Sequence, residues 1–152
     1  MGNEYSVPGF FAARRSSSRT PGLWRGKVRM AGDFEELPPG LADAPELSEP
    51  ARDLIRDSNR AVWVSAASAW EIAIKKALGK LEAPDDLVAA LEANGFRSLP
   101  IQVTHALLAG SLPRIHDDPF DRMLVAQAKA EGLALVTADA RLAAYGVSVI
   151  RA

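Results

Sequence analysis

From Ser48 onward the chain alternates two kinds of apolar pattern: short unbroken runs, and longer segments with apolar residues at helical spacing. "SEPARDLIR" puts Ser48 in an N-cap position with Pro50 in the first turn, which predicts a short helix. "AVWVSA" is β-branched and aromatic and predicts a buried strand. "SAWEIAIKKALG" then runs helical and stops at Gly79, while "APDDLVAALEANG" predicts a further helix closed by Asn94-Gly95. "FRSLPI" predicts a short strand, "THALLAGSLP" a short helix, and "DPFDRMLVAQAKAEG" a longer helix ended by Gly132. "LALVTA" predicts a buried strand, "DARLAAYG" a helical turn and "VSVI" a last strand. Short apolar strands alternating with helices predict an α/β domain whose central sheet is mainly parallel and covered on both faces.

Order is predicted from about Leu41. Residues 1–40 read differently, as an extension rich in Arg, Ser, Gly and Pro with no period. They lack the apolar core of a signal peptide. Their composition suits a targeting presequence, but a disordered extension accounts for it more simply. Arg14, Arg15, Arg19, Arg25, Lys27 and Arg29 give it a basic character that could attract RNA. The expected organisation is therefore an atypical extension over 1–40 and one domain over 41–152.

Composition narrows the chemistry. A chain of 152 residues with 48% hydrophobic and 24% charged residues suits one globular domain. The net charge of −1 argues against a protein that coats duplexes, and leaves room for an enzyme acting locally on nucleic acid. There are no cysteines, which excludes disulfides, Cys-ligated zinc and thiol nucleophiles, and fits a cytoplasmic location. No apolar run approaches the ~20 residues of a membrane span. The phosphate loops "GxGxxG" and "GxxxxGK[ST]" and the serine elbow "GxSxG" do not occur.

Attention falls on "HDDPFDRMLVAQA", with three aspartates within five positions. Asp118 and Pro119 read as N-cap and N1, and Asp121 lies in the first turn. Glu71 follows the strand "AVWVSA" and pairs with Ser68 as a capping box; Asp139 follows "LALVTA" directly and could cap the next turn. Each acid alone is explained by capping. In a parallel sheet, however, strand exits share one edge, where ligands bind. Carboxylates gathered there repel one another unless a cation offsets them. Mg²⁺ or Mn²⁺ suits an all-oxygen set and supports phosphodiester hydrolysis.

At these residues the chain resembles a known family. "LADAPELSEPARDLIRD", "VWVSAASAWEIAIKKALGKL" and "LPIQVTHALLAGSLPRIHDDPFDRMLVAQAKAEGLALVTADARLAAYGVSVI" resemble the PIN-domain toxins of VapC type, from about Leu41 to Ile150. The resemblance implies an α/β/α sandwich and a Mg²⁺-dependent endoribonuclease. It also implies a homodimer neutralised by a cognate antitoxin. Residue by residue it implies Glu71, Asp121 and Asp139 as catalytic and metal-binding acids, Thr137 as a polar neighbour, and Asp118 as a cap.

The family's first strand, an apolar run ending in aspartate, has no clear counterpart. Asp33 in "VRMAGDFEELPPGL" falls at the expected distance, but Met30-Ala31-Gly32 is a poor strand and Pro38-Pro39 would break the helix that should follow. A shifted reading frame before Leu41 accounts for the change, and the nucleotide sequence upstream would reveal it. The rival reading is an inactive PIN-like domain that only binds an antitoxin or another partner. Lys75 and Lys76, with Lys80, are read as a solvated helix face or as phosphate contacts. His105 and His116 are given no catalytic role, and Trp63 and Trp70 are assigned to core or dimer interface.

Overall fold

The computed structural model describes residues 10–13, 48–57, 59–80 and 83–152. The elements in chain order are β1 (Phe10–Ala13), α1 (Glu49–Arg56), β2 (Ala61–Ser65), α2 (Ala66–Ala77), α3 (Leu87–Ala93), β3 (Arg97–Leu99), α4 (Val103–Ser111), α5 (Pro119–Glu131), β4 (Ala134–Thr137), a 3₁₀ turn (Ala140–Tyr145) and β5 (Val149–Arg151). Each segment predicted from Ser48 onward is present. β1 lies in the stretch read from sequence as an extension without a period. Asp33 lies outside the described residues.

The sheet has the order β3-β2-β1-β4-β5. β2 pairs with β3 in parallel, and β4 with β5 in parallel. β1 sits between the two pairs and runs antiparallel to both, with Phe11 opposite Trp63 on one side and Leu135 on the other. Four of the five strands therefore share a direction, and Ser65, Leu99, Thr137 and Arg151 end on one edge. From β2 the chain moves outward to β3 at one edge of the sheet, and from β4 it moves outward to β5 at the other. This makes the gap between those two strands the switch point at which an open α/β sheet holds a ligand.

Alternation along the strands places one apolar layer on each face. Val62 and Val64 of β2 and Val136 of β4 pack with Leu54, Ile55, Leu91 and Phe96 under α1 and α3. Leu135, the neighbour of Val136, points the other way into a second cluster with Leu124, Val125, Ala126, Leu112 and Leu142. Both clusters are needed because a strand residue and its neighbour face opposite sides. The result is the expected α/β/α sandwich.

Two starts of helices fix the site. The N-cap of α2 is Ser65, whose Oγ accepts from the Ala67 N–H at 3.0 Å. The expected capping box from Ser68 to Glu71 does not form. Ser68 is a buried residue inside the helix, and Glu71 falls in the second turn, where it pairs with Lys75 at 2.7 Å. The reason is that the last residue of β2 already serves as the cap, which starts the helix three residues earlier. Trp70, assigned from sequence to core or interface, is 63% exposed, its ring edge-on to Phe120 at 5.3 Å. Trp63, by contrast, packs against the second core cluster.

Ser65 has a second task. Its hydroxyl donates to Gln127 Oε1 at 2.5 Å, and Gln127 Nε2 donates to the Pro100 carbonyl at 3.2 Å. Ser65 and Gln127 are both fully buried. This polar chain ties the exit of β2, the middle of α5 and the exit of β3 at the edge where the acids lie. A second link joins α4 to α5: His105 accepts the Gln102 N–H at Nδ1 and meets Glu131 Oε1 through Nε2 at 2.8 Å. His105 is thus a satisfied core histidine.

Ser65→Ala removes a cap and leaves the buried Gln127 Oε1 without its donor. We expect a loss of about 2–4 kcal/mol, the sum of a lost cap and an unsatisfied buried acceptor. A urea titration followed by circular dichroism checks it: the midpoint should fall with the slope unchanged.

Candidate metal centre

The second helix start, that of α5, is built by Asp118. Its Oδ1 accepts from the Phe120 N–H at 2.8 Å and the Asp121 N–H at 3.3 Å, with Pro119 in the first turn. Two helical donors are thereby satisfied by one carboxylate, and the helix begins where the sequence places it. Asp121, one position past Phe120, is carried to the sheet edge by this geometry. Asp139 arrives from the other side, two residues beyond the end of β4. Its backbone N–H donates to Thr137 Oγ1 at 3.1 Å, and its own Oδ1 caps the 3₁₀ turn by accepting from the Arg141 N–H at 2.9 Å.

His116 stands between them. Its Nε2 is 2.9 Å from Asp139 Oδ2 and 3.4 Å from Asp121 Oδ2. One ligand atom from each of His116, Asp121 and Asp139 lies within 4.8 Å of the others, a group that could hold a metal ion. The imidazole is itself held. Nδ1 accepts the Asp118 N–H at 3.2 Å, which leaves the proton of the neutral ring on Nε2, where it donates to Asp139. His116 therefore acts here as an orienting donor, and the oxygens of the two aspartates are the natural ligands for a hard cation.

The loop carrying His116 is pinned by Arg122. Nη2 donates to the Ala109 and Leu112 carbonyls at 2.9 and 2.8 Å, which are acceptors at the end of α4 with no helical donor. Nη1 donates to the Pro113 carbonyl at 2.9 Å and reaches the His116 carbonyl at 3.3 Å. Tyr145 completes the clamp: its hydroxyl accepts the His116 N–H at 2.9 Å and donates to the Pro113 carbonyl at 3.1 Å.

The two aspartates differ electrostatically. Asp121 is pushed up to about 6, chiefly by burial and then by the charge of Asp118; Glu71 and Asp139 add to this and His116 opposes it. Asp139 is held well below the usual carboxylate range, first by the side-chain hydrogen bond from Arg141 and also by His116. Asp121 is thus a desolvated carboxylate among other carboxylates, and among the described residues no lysine or arginine is bonded to it. That deficit is what a divalent cation would relieve. The donor set fits Mg²⁺ or Mn²⁺, with Asp121 and Asp139 as the residues that would hold it.

Glu71 contributes charge to Asp121 from α2 and stands outside the close group of three. Of the three acids singled out from sequence, the structure brings Asp121 and Asp139 together and leaves Glu71 outside the close group. The sequence reading set His116 aside, although His116 lies five residues before Asp121 in the same motif. The missed signal is the cap: Asp118 turns the chain back on itself, which returns a residue just before it to the helix start. Of the proposed phosphate contacts, Lys75 pairs with Glu71, and Lys76 Nζ lies 2.6 Å from Asp85 Oδ1.

A family model for the PIN domain matches residues 40–147. The chain belongs to the PIN-domain family. PIN domains are typically metal-dependent nucleases, which accords with two aspartates and a histidine gathered at the exit edge of the sheet. No curated protein and no solved structure gave a significant match to the chain. Among the described residues, no helix is long and apolar enough to cross a membrane.

The raised Asp121 sets a pH dependence. A carboxylate whose folded pKa lies above its ordinary 3.8 contributes stability below about pH 4, and this is lost as pH rises through about 6. Asp121→Asn should therefore stabilise the metal-free protein at pH 7.5 by roughly 1–3 kcal/mol, a gain that shrinks toward pH 4. Melting temperatures in EDTA across this range test it; a gain independent of pH would contradict the assignment.

Proposed function

We propose that this PIN domain is a Mg²⁺- or Mn²⁺-dependent endoribonuclease and the toxin of a type II toxin–antitoxin pair of VapC type. The observation that carries this reading is the meeting of Asp121, Asp139 and His116 at the edge where β2 and β4 end. The resemblance of the "SAASAWEIAIK" and "HDDPFDRMLVAQA" segments to that toxin class supports the finer assignment. The same resemblance supports a homodimer in the cytoplasm, with a cognate antitoxin as its partner.

When bound, the cation supplies charge neutralisation at a phosphodiester and an acidified water. The chain's own groups prepare for this. Asp121 and Asp139 present oxygens from opposite sides of the switch point. Glu71 deepens the negative field at Asp121, which favours a dication over a proton. His116 holds Asp139 Oδ2 through Nε2–H, and Thr137 Oγ1 fixes the backbone from which Asp139 projects. Asp118, by capping α5, sets the direction in which Asp121 faces. Lys75 and Lys76 lie in the last turn of α2, on the helix that carries Glu71, and are the proposed contacts for RNA phosphates.

One observation favours a second reading. The central strand is Phe10–Ala13, which contributes no carboxylate and runs opposite to its neighbours. A domain short of an acid at its central strand could serve only to bind an antitoxin or another partner.

Cleavage of RNA in Mg²⁺ or Mn²⁺, abolished by EDTA, decides between the two. Under the enzymatic reading Asp121→Asn lowers the cleavage rate by about 100-fold or more, and His116→Ala by about 10–100-fold, as expected when a ligand or its orienting partner is lost. Both variants should stay folded by circular dichroism. Full cleavage by Asp121→Asn would remove the assignment, and no cleavage by the native protein at any metal concentration would favour the binding domain.

A further inference from the structure

Arg141 is the side chain at this site that neither the sequence reading nor the proposed hydrolysis uses. It is 71% exposed, yet its guanidinium lies against Asp139 through Nε and Nη2. Nε is 2.9 Å from Oδ1 and 3.0 Å from Oδ2, and Nη2 makes a short contact to Oδ2. With the Arg141 backbone N–H also on Oδ1 and His116 Nε2 on Oδ2, both oxygens of Asp139 are fully engaged. A cation cannot be bound by Asp139 while the guanidinium remains there. Nη2 also lies 2.9 Å from His116 Nε2. Because Asp118 N–H occupies Nδ1, Nε2 carries a proton, so two donors face each other across Asp139 Oδ2. Among the described residues the guanidinium is therefore hydrogen-bonded to the carboxylate of Asp139, with a weaker attraction from the charge of Asp121, against a neighbouring donor and open to solvent.

We propose that Arg141 is the resident counter-ion of Asp139 in the metal-free site, and that a divalent cation enters by displacing its guanidinium. The inference rests on the metal-dependent reading above. It adds that affinity for the ion is set in part by a residue that is not a ligand. The exchange keeps a cation at the site throughout: one guanidinium (+1) leaves the carboxylate as the dication (+2) arrives, a net gain of one positive charge, so the two aspartates are never left facing each other without a cation. Three side-chain contacts from an exposed arginine make the exchange inexpensive, since exposed ion pairs contribute little net stability.

The test is Mn²⁺ binding by isothermal titration calorimetry at low ionic strength, on the full chain. Arg141→Gln should bind Mn²⁺ about two- to fivefold more tightly than the native protein, the size of one exposed ion pair removed from competition. Arg141→Lys keeps the charge and loses the fork, so it distinguishes displacement from simple repulsion. Displacement predicts that Arg141→Lys also binds more tightly than native, whereas affinity equal to native means that only long-range charge matters and overturns the proposal. In ¹⁵N spectra the Arg141 Nε–H signal should shift toward that of a free arginine on addition of Mg²⁺; a signal that stays fixed at saturation overturns it independently. Native-like or weaker binding by Arg141→Gln, with the native protein binding Mn²⁺, sinks the role of Arg141 and leaves the metal-dependent reading intact. No binding by any of the three proteins sinks both.

Discussion

Two carboxylates brought to one spot repel each other, and the surroundings of Asp121 and Asp139 are arranged by that repulsion. Oxygens of the pair, with His116, fall within 4.8 Å, at the exit edge of the sheet. The fold meets the cost asymmetrically. Asp139 is given a guanidinium and an imidazole donor, and its ionised form is favoured. Asp121 has carboxylates for neighbours and is partly withdrawn from water, so its ionised form is penalised relative to an ordinary aspartate. A site with one satisfied and one frustrated carboxylate is poised for a cation. The frustration persists only because neither group can move away.

What prevents that movement is a set of short backbone commitments. Asp118 and Asp139 are both caps, so the turns that present the acids are the turns that start the next elements. Capping was the competing explanation for each of these acids, and the structure shows that it is the means by which they are aimed. Arg122 adds the third fixed point. By donating to the otherwise unpaired carbonyls of Ala109 and Leu112 and to those of Pro113 and His116, it makes the end of α4 and the His116 loop a single body with α5. An arginine one position after the candidate ligand thus belongs to the loop opposite rather than to the metal. The buried chain from Ser65 through Gln127 to Pro100 does the same for β2 and β3.

Most of this architecture was legible because its signals are local. Ser48, Asp118 with Pro119, and Gly132 mark helix ends by backbone chemistry that does not depend on the rest of the chain. The apolar runs of β2 and β4 announce burial on both faces. The failures came where one residue serves two elements. Ser65 ends a strand and caps a helix, so the second serine, Ser68, drew the cap that belongs to the first, and Glu71 moved by a turn. From sequence His116 is given no catalytic role and Arg141 is not singled out, because each is ordinary in its local window. Their roles exist only once α5 and the end of β4 have been brought together, and no periodicity records that meeting. Asp33 lies outside the described residues, and the central strand that the structure does describe comes from a stretch that carried no strand signal.

That strand bears on how complete the site is. In a sheet whose strands all ran one way, the central member would end at the switch point, between β2 and β4, and could present a side chain there. β1 runs the other way, so at this edge it offers the beginning of a strand, Phe10, rather than its exit. The acids that do converge come from α5, from the turn after β4 and, at a greater remove, from α2. They therefore surround the switch point from its flanks. Among the described residues the middle contributes no carboxylate, since β1 is Phe10–Ala13. Against Asp139 in this arrangement lies the guanidinium of Arg141, an exposed side chain at a site built from side chains far more buried than itself.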